Sequence, residues 1–258
     1  RKKKLKKKDI CLTFDDALLS QYDIALKVLN KHKLKAFWFI YSSVFHGKLD
    51  NFEIQRKFRS IYYKNFEDFF QDFQTYLDKS LTFKKKIKYK KYFKSMNKFY
   101  PIYSKTDIEF RYIRDYVLKK NEYDKILSKM MVKKKTTKKK LSKNLWLTNS
   151  HLKKLSNKDH IIGLHAYNHP YKLAELNFND QQNEINKNYI HLNNLLRKKP
   201  ISISYPNGSF NNNTLKIVKK LGVICGFTSN MKNYREFNSK DLLIKRLDHS
   251  FIIKNYIK

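Results

Sequence analysis

The chain has 258 residues, enough to bury the core of one large α/β domain or of a domain carrying a sizeable insertion. Hydrophobic residues make up 41% of it and aromatics 15%, which excludes a chain disordered throughout, because that much apolar surface offsets the entropy of ordering. The net charge of +35 taken alone points to nucleic acid, an acidic polymer or an anionic membrane. The basic residues, however, are overwhelmingly lysine and come with abundant Asn, Ile, Tyr and Phe, the mixture that an A/T-rich coding sequence produces unaided, so the charge names no specific nucleic-acid partner.

The chain opens without Met on a basic stretch, Arg1 to Lys8, with no apolar signal core behind it. No apolar run reaches the roughly 18 residues that span a bilayer. These features predict a bacterial-like protein of the cytoplasm or the cell envelope, with an upstream signal or anchor left open. Ile10 to Phe14 is a short apolar run ending at two acids, and Ala17 to His32 carries apolar residues near helical spacing. Ala36 to Ile40, reading AFWFI, is a second strand. This βαβ start points to a parallel sheet or barrel.

From His46 the composition shifts. Glycine disappears after Gly47, lysine runs appear at Lys84 to Lys91 and Lys133 to Lys140, and Phe58, Ile61, Tyr62, Phe66, Phe69, Phe70, Phe73 and Leu77 follow helical spacing, as does Ile108 to Met131. The stretch 46–145 reads as a helical insertion whose aromatic stripe packs on the main domain and whose lysine runs are solvated faces or loops. The strand-helix rhythm then resumes. Helices are predicted at Thr148 to Ser156, Asn177 to Arg197 and Asn211 to Leu221, and strands at His160 to Leu164, Ile201 to Tyr205, Val223 to Thr228 and Leu242 to Leu247. Cys11 and Cys225 fall in apolar segments and read as two buried free thiols.

Asp15 and Asp16 end the first strand, where two adjacent carboxylates are costly unless a cation or hydrogen-bond donors meet them. Asp16 alone would serve as a helix cap. His165-Ala166-Tyr167-Asn168-His169 follows a later strand, and two histidines four apart on a helical turn face one ion. In a parallel barrel both groups converge at one rim. Two imidazoles and one carboxylate make a three-ligand set with a position left open, the arrangement of a hydrolytic metal site; neither cysteine is placed to close it.

Leu12-Thr13-Phe14-Asp15-Asp16 resembles the TFDD motif of the polysaccharide deacetylases, carbohydrate esterase family 4, related to rhizobial chitooligosaccharide deacetylases. Ile162-Gly163-Leu164-His165 through His169-Pro170 is similar to that family's second motif, and Ser204-Tyr205-Pro206-Asn207-Gly208-Ser209-Phe210-Asn211 to the third in its Tyr-Pro-x-Gly form. The resemblance implies a distorted (β/α) barrel formed by 9–45 and 146–258, with 46–145 inserted after the second strand. It assigns Asp15 as general base and Asp16, His165 and His169 as ligands of a divalent metal, zinc first, with cobalt, nickel or manganese also accepted by such a mixed N/O set.

The implied reaction removes an acetyl group, N-acetyl in the first place, from a carbohydrate, and an anionic or polymeric glycan suits the positive field. A backbone N–H among Tyr205, Pro206, Asn207 and Gly208 would hold the oxyanion. The general acid is expected near the C-terminus, at His249, with Arg246 or Asp248 orienting it or Asp15. Two competing readings are an O-acetyl esterase and a non-catalytic basic protein that binds an anionic glycan or nucleic acid on the same scaffold.

The sequence departs from the family pattern in three places. The arginine often found upstream of the proline in the third motif is missing, because Ser202, Ile203 and Ser204 fill that stretch, so another group must orient Asp15. Ala166 stands where Ser or Thr is usual after the first histidine. The insertion is the third departure, and would serve as lid, substrate platform or partner surface.

Overall fold

Five short apolar runs form one sheet in the computed structural model, which describes residues 10–78, 86–229, 231 and 241–256. They are β1 (Leu12–Phe14), β2 (Ala36–Ile40), β3 (Ile161–Leu164), β4 (Ser202–Ser204) and β5 (Cys225–Phe227). All neighbours are parallel and lie in chain order, β1-β2-β3-β4-β5. Unbroken order is the wall of a barrel; a doubly wound sheet would reverse direction partway. The wall is a curled half-barrel, and the fold is a distorted (β/α) barrel.

The expected strand at Leu242 to Leu247 shrinks to one parallel bridge, Ile244 with Phe227. The Ile244 N–H donates to the Gly226 carbonyl at 2.7 Å, but the Gly226 N–H goes to the Asp241 carbonyl at 2.8 Å while the Leu242 carbonyl accepts the Tyr205 hydroxyl at 3.0 Å, so the ladder does not continue backwards in register. Gly226 is where these pieces meet most closely. A Cβ there would lie 2.5 Å from the Leu242 carbonyl oxygen and 2.7 Å from the Tyr205 hydroxyl.

Around the sheet lie α1 (Leu19–Lys31), α8 (Asn149–Asn157), α9 (Phe178–Leu196) and α10 (Asn212–Lys220). Thr148, Asn177 and Asn211 cap the last three by accepting a backbone N–H of the first turn. Arg197 in a left-handed conformation ends α9, and Gly222 at φ +79° follows α10. Trp38, Ile40, Leu152, Leu155, Leu164, Ile185, Leu192, Ile203 and Val218 form the core between sheet and helices. Cys11 is exposed and Cys225 half-buried, so only the second sits under cover; both are free thiols. Burial pushes the Cys225 thiol up to about 11.

The chain divides into two units, the first Arg1–Lys48, Asn144–Thr228 and Ser239–Ile244, the second Leu49–Lys143, Ser229–Asn238 and Lys245–Lys258. Described helices of the second unit are α2 (Asn51–Tyr62), α3 (Phe66–Gln74), α4 (Lys86–Phe99), α5 (Lys105–Tyr112), α6 (Lys120–Lys133), α7 (Lys138–Ser142) and α11 (His249–Tyr256). The aromatic stripe is split by Asn65, which caps α3, and its buried members Phe58, Phe69, Phe70 and Phe73 belong to the unit's own core. Phe110 sits at its centre, with ring centroids 5.4 Å from Phe69 and 5.2 Å from Phe73. Ile61, expected in the stripe, is exposed.

The helix expected from Ile108 to Met131 is also broken. A π-helical turn at Ile113–Val117 leads into Leu118, and α6 starts afresh beyond it. Of the lysine runs, Lys133 pairs with Asp72 at 2.8 Å and Lys134 covers the Tyr63 ring, whereas Lys84 and Lys85 lie outside the described residues. Among the described residues no helix is long and apolar enough to cross a membrane.

Candidate metal centre

The C-terminal ends of β1, β3 and β4 bring the three sequence motifs to one rim. After Phe14 the chain turns through Asp16 at φ +75° and Ala17 at φ +57°, two successive left-handed residues that are not glycine. Such conformations cost roughly 1–3 kcal/mol each and persist where surroundings over-determine them. Here Ala17 is buried and its carbonyl accepts the Leu147 N–H at 2.8 Å, while the Leu19 N–H donates to the Leu145 carbonyl at 2.9 Å. Asp16 caps no helix. The N-cap of α1 is Leu18, which makes no side-chain cap bond.

His165 and His169 are not on a helical turn. The segment after β3 is a loop in which Ala166 and His169 are left-handed, at φ +59° and +53°. The loop is nevertheless tied at His165, Tyr167 and Asn168. Asn188 of α9, fully buried, accepts the His165 N–H at 2.9 Å and donates to the Ile40 carbonyl at 2.8 Å and to the Ser42 hydroxyl. The Tyr167 carbonyl accepts the N–H groups of Ser42 and Ser43, and the Glu184 carboxylate accepts those of Tyr167 and Asn168.

The result is convergence. Asp16 Oδ1 lies 3.3 Å from His165 Nε2 and 3.3 Å from His169 Nε2, and one donor atom from each of the three residues falls within 4.8 Å of the others. Ligands at about 2.0–2.2 Å from a shared ion stand at such separations. His165 Nδ1 donates to the Ser204 carbonyl at 2.7 Å, which selects the tautomer whose Nε2 lone pair faces Asp16. Burial would lower the His165 pKa, but Asp15, Asp16 and the Ser204 carbonyl outweigh it and raise it, as expected where two carboxylates await a cation. The donor set, its burial and its fixed tautomer fit a divalent metal.

Asp15 stands beside this group without joining it. Its Oδ2 accepts the Ser204 hydroxyl at 2.9 Å, and its backbone carbonyl accepts from Gln21 at 2.9 Å. In the third motif Tyr205 is a buried anchor, its ring 4.9 Å from Phe210. The Tyr205 N–H goes to the Phe227 carbonyl at 3.2 Å and the Gly208 N–H to the Tyr205 carbonyl at 2.8 Å, and Pro206 has none to give. Asn207, left-handed at φ +52°, is the one member of the four whose N–H is uncommitted among these bonds.

Arg246, Asp248 and His249 belong to the second unit. Asp248 accepts the Ser250 N–H at 2.8 Å and lies 3.5 Å from the ring of His249, whose side chain is 84% exposed.

The family model for polysaccharide deacetylases matches residues 2–62 and 120–225. The chain belongs to the polysaccharide deacetylase family. No curated protein matches the sequence. Among solved structures, the de-N-acetylase from Aggregatibacter actinomycetemcomitans is 14% identical with a TM-score of 0.51, over 95% of this chain and 72% of that one. The Streptococcus pyogenes deacetylase PplD, solved with acetate, is 17% identical over 94% of this chain and 65% of its own, with a TM-score of 0.49. The deacetylase domain of BpsB from Bordetella bronchiseptica is 12% identical over 92% and 69%, also at 0.49. The first of these likenesses carries the fold, and this deacetylase-family chain spans 65% of the length of the streptococcal protein.

The sequence pattern named Asp15, Asp16 and both histidines, but missed the residues that hold them. Ser204 registered as the first residue of the third motif and as filler where an arginine was missing, with no role of its own. Asn188 carried a legible signal: it is a polar side chain on the same helical face as Ile185 and Leu192, and a polar residue in an apolar stripe is kept only when bonded. Glu184, beside that face, gave none.

Proposed function

We propose that this protein removes an acetyl group, N-acetyl in the first place, from a carbohydrate, with Asp16, His165 and His169 holding a divalent metal. The observation that carries the reading is the approach of both imidazole Nε2 atoms to one carboxylate oxygen at 3.3 Å, beside a second carboxylate that is separately held. A divalent ion bound there acidifies water and polarises the acetyl carbonyl. Zinc suits the donor set first; cobalt, nickel and manganese are the alternatives.

Asp15 accepts the proton of the attacking water, for which its carboxylate lies outside the ligand group yet adjacent to it in sequence. The Asn207 N–H donates to the oxyanion as the carbonyl carbon becomes tetrahedral. An acid then protonates the leaving amine. The sequence nominates His249 for that step, with Arg246 or Asp248 beside it in the chain. The positive charge of the chain favours an anionic or polymeric glycan as substrate.

The test compares acetate release by the parent protein and by Asp15→Asn from a panel of N-acetylated and O-acetylated sugars. Release from N-acetylated members that falls at least about 100-fold in Asp15→Asn is the expected result. Release confined to O-acetylated members makes the protein an esterase. Glycan binding that weakens with salt, is indifferent to chelation and comes with no release from any member makes it a binding protein on this scaffold.

A further inference from the structure

We infer that Ser204 is the positioning residue for Asp15, doing with a neutral hydroxyl what the missing arginine of the third motif does elsewhere in the family; the inference rests on the reading of Asp15 as base. Ser204 is fully buried at the end of β4, and its two polar groups reach two different members of the site. Its hydroxyl donates to Asp15 Oδ2 at 2.9 Å, and its carbonyl accepts from His165 Nδ1 at 2.7 Å. One residue therefore fixes both the rotation of the base and the tautomer of a metal ligand.

The bond to Asp15 depends on where the serine stands on β4 and not on residue type alone. Ser202, two residues earlier on the same face of β4 and equally buried, finds no hydrogen-bond partner for its hydroxyl among the described residues. A carboxylate with one oxygen held cannot swing about its terminal torsion, which leaves the other oxygen aimed. The Ser204 backbone is itself anchored, since the next residue donates its N–H to the Phe227 carbonyl at 3.2 Å. Precision of this kind governs turnover more than binding.

Because the hydroxyl serves Asp15 and the carbonyl serves His165, substitution separates the two. Ser204→Ala deletes the first bond and keeps the second. With zinc added and an N-acetylglucosamine pentamer as probe, Ser204→Ala is expected to lose about 10–100-fold in kcat, with KM and zinc affinity within about twofold of the parent. Ser204→Thr, which keeps the hydroxyl, restores most of the loss. In an Asp15→Asn background, Ser204→Ala adds nothing further.

An equal loss in both backgrounds, or a parallel fall in zinc affinity, overturns the inference. Where the parent protein releases no acetate from the pentamer, or Asp15→Asn releases as much as the parent, it is the proposed reaction that fails. The crystal structure of Ser204→Ala then decides the positioning claim by itself. An Asp15 carboxylate rotated from its parent orientation upholds it, and an unmoved one refutes it.

Discussion

Glu184 holds Asn168 by two bonds, its carboxylate accepting the Asn168 backbone N–H at 2.7 Å and the side-chain amide as well. The same carboxylate takes the Tyr167 N–H at 3.1 Å, so a side chain of α9 sets the path of the loop that ends in His169. Glu184→Gln replaces one of the two acceptor oxygens by a donor facing an N–H. The expected result is zinc affinity about 10–100-fold weaker, read by calorimetry, with the unfolding transition still cooperative. Unchanged affinity would mean that the loop keeps its shape without this clamp.

Asn188 is the other anchor, and its contribution is to stability. Replacement by Ala leaves the His165 N–H and the Ile40 carbonyl without their bonds in a site closed to water. At roughly 1–3 kcal/mol for each group stranded, Asn188→Ala should cost about 2–5 kcal/mol in urea unfolding. A cost below about 0.5 kcal/mol would show that water or a neighbour replaces the amide.

His160 makes stability depend on pH. It is buried at the start of β3, with Nδ1 accepting the Ala36 N–H at 3.2 Å and its ring edge-on to Trp38. Burial, with Lys35 and Lys158 adding repulsion, holds its pKa below the usual 6.5. The unfolded chain therefore takes up this proton at a higher pH than the folded one, and the contribution of His160 is complete above about 6.5 and lost as pH falls below it. His160→Asn, which keeps an acceptor at the Nδ1 position and does not titrate, should flatten the fall in stability as pH drops below about 6.5. Identical pH profiles for the two proteins would contradict the assignment.

Much of this was legible along the chain, for reasons that differ from element to element. AFWFI became a strand because an apolar run of that length bounded by polar residues has no amphipathic helix to join. Thr148, Asn177 and Asn211 were readable as helix starts because a cap is a local bond between a side chain and the first turn. The shape of the His165 to His169 loop was not. Its spacing imitates a helical turn, and what overrides it is a pair of polar side chains on α9, whose partners are set by tertiary packing. The bond from Ser204 to Asp15 was equally hidden, since nothing in Ser-Ile-Ser announces which hydroxyl meets Asp15 and which finds no partner among the described residues.

The most direct test is to titrate zinc into chelated protein while following acetate release from N-acetylated sugar. The account predicts release that starts near zero, rises in proportion to added zinc, and levels off at one equivalent per chain, with Asp16→Asn flat throughout. Full activity in the chelated protein, or metal uptake and turnover unaffected by Asp16→Asn, would contradict it.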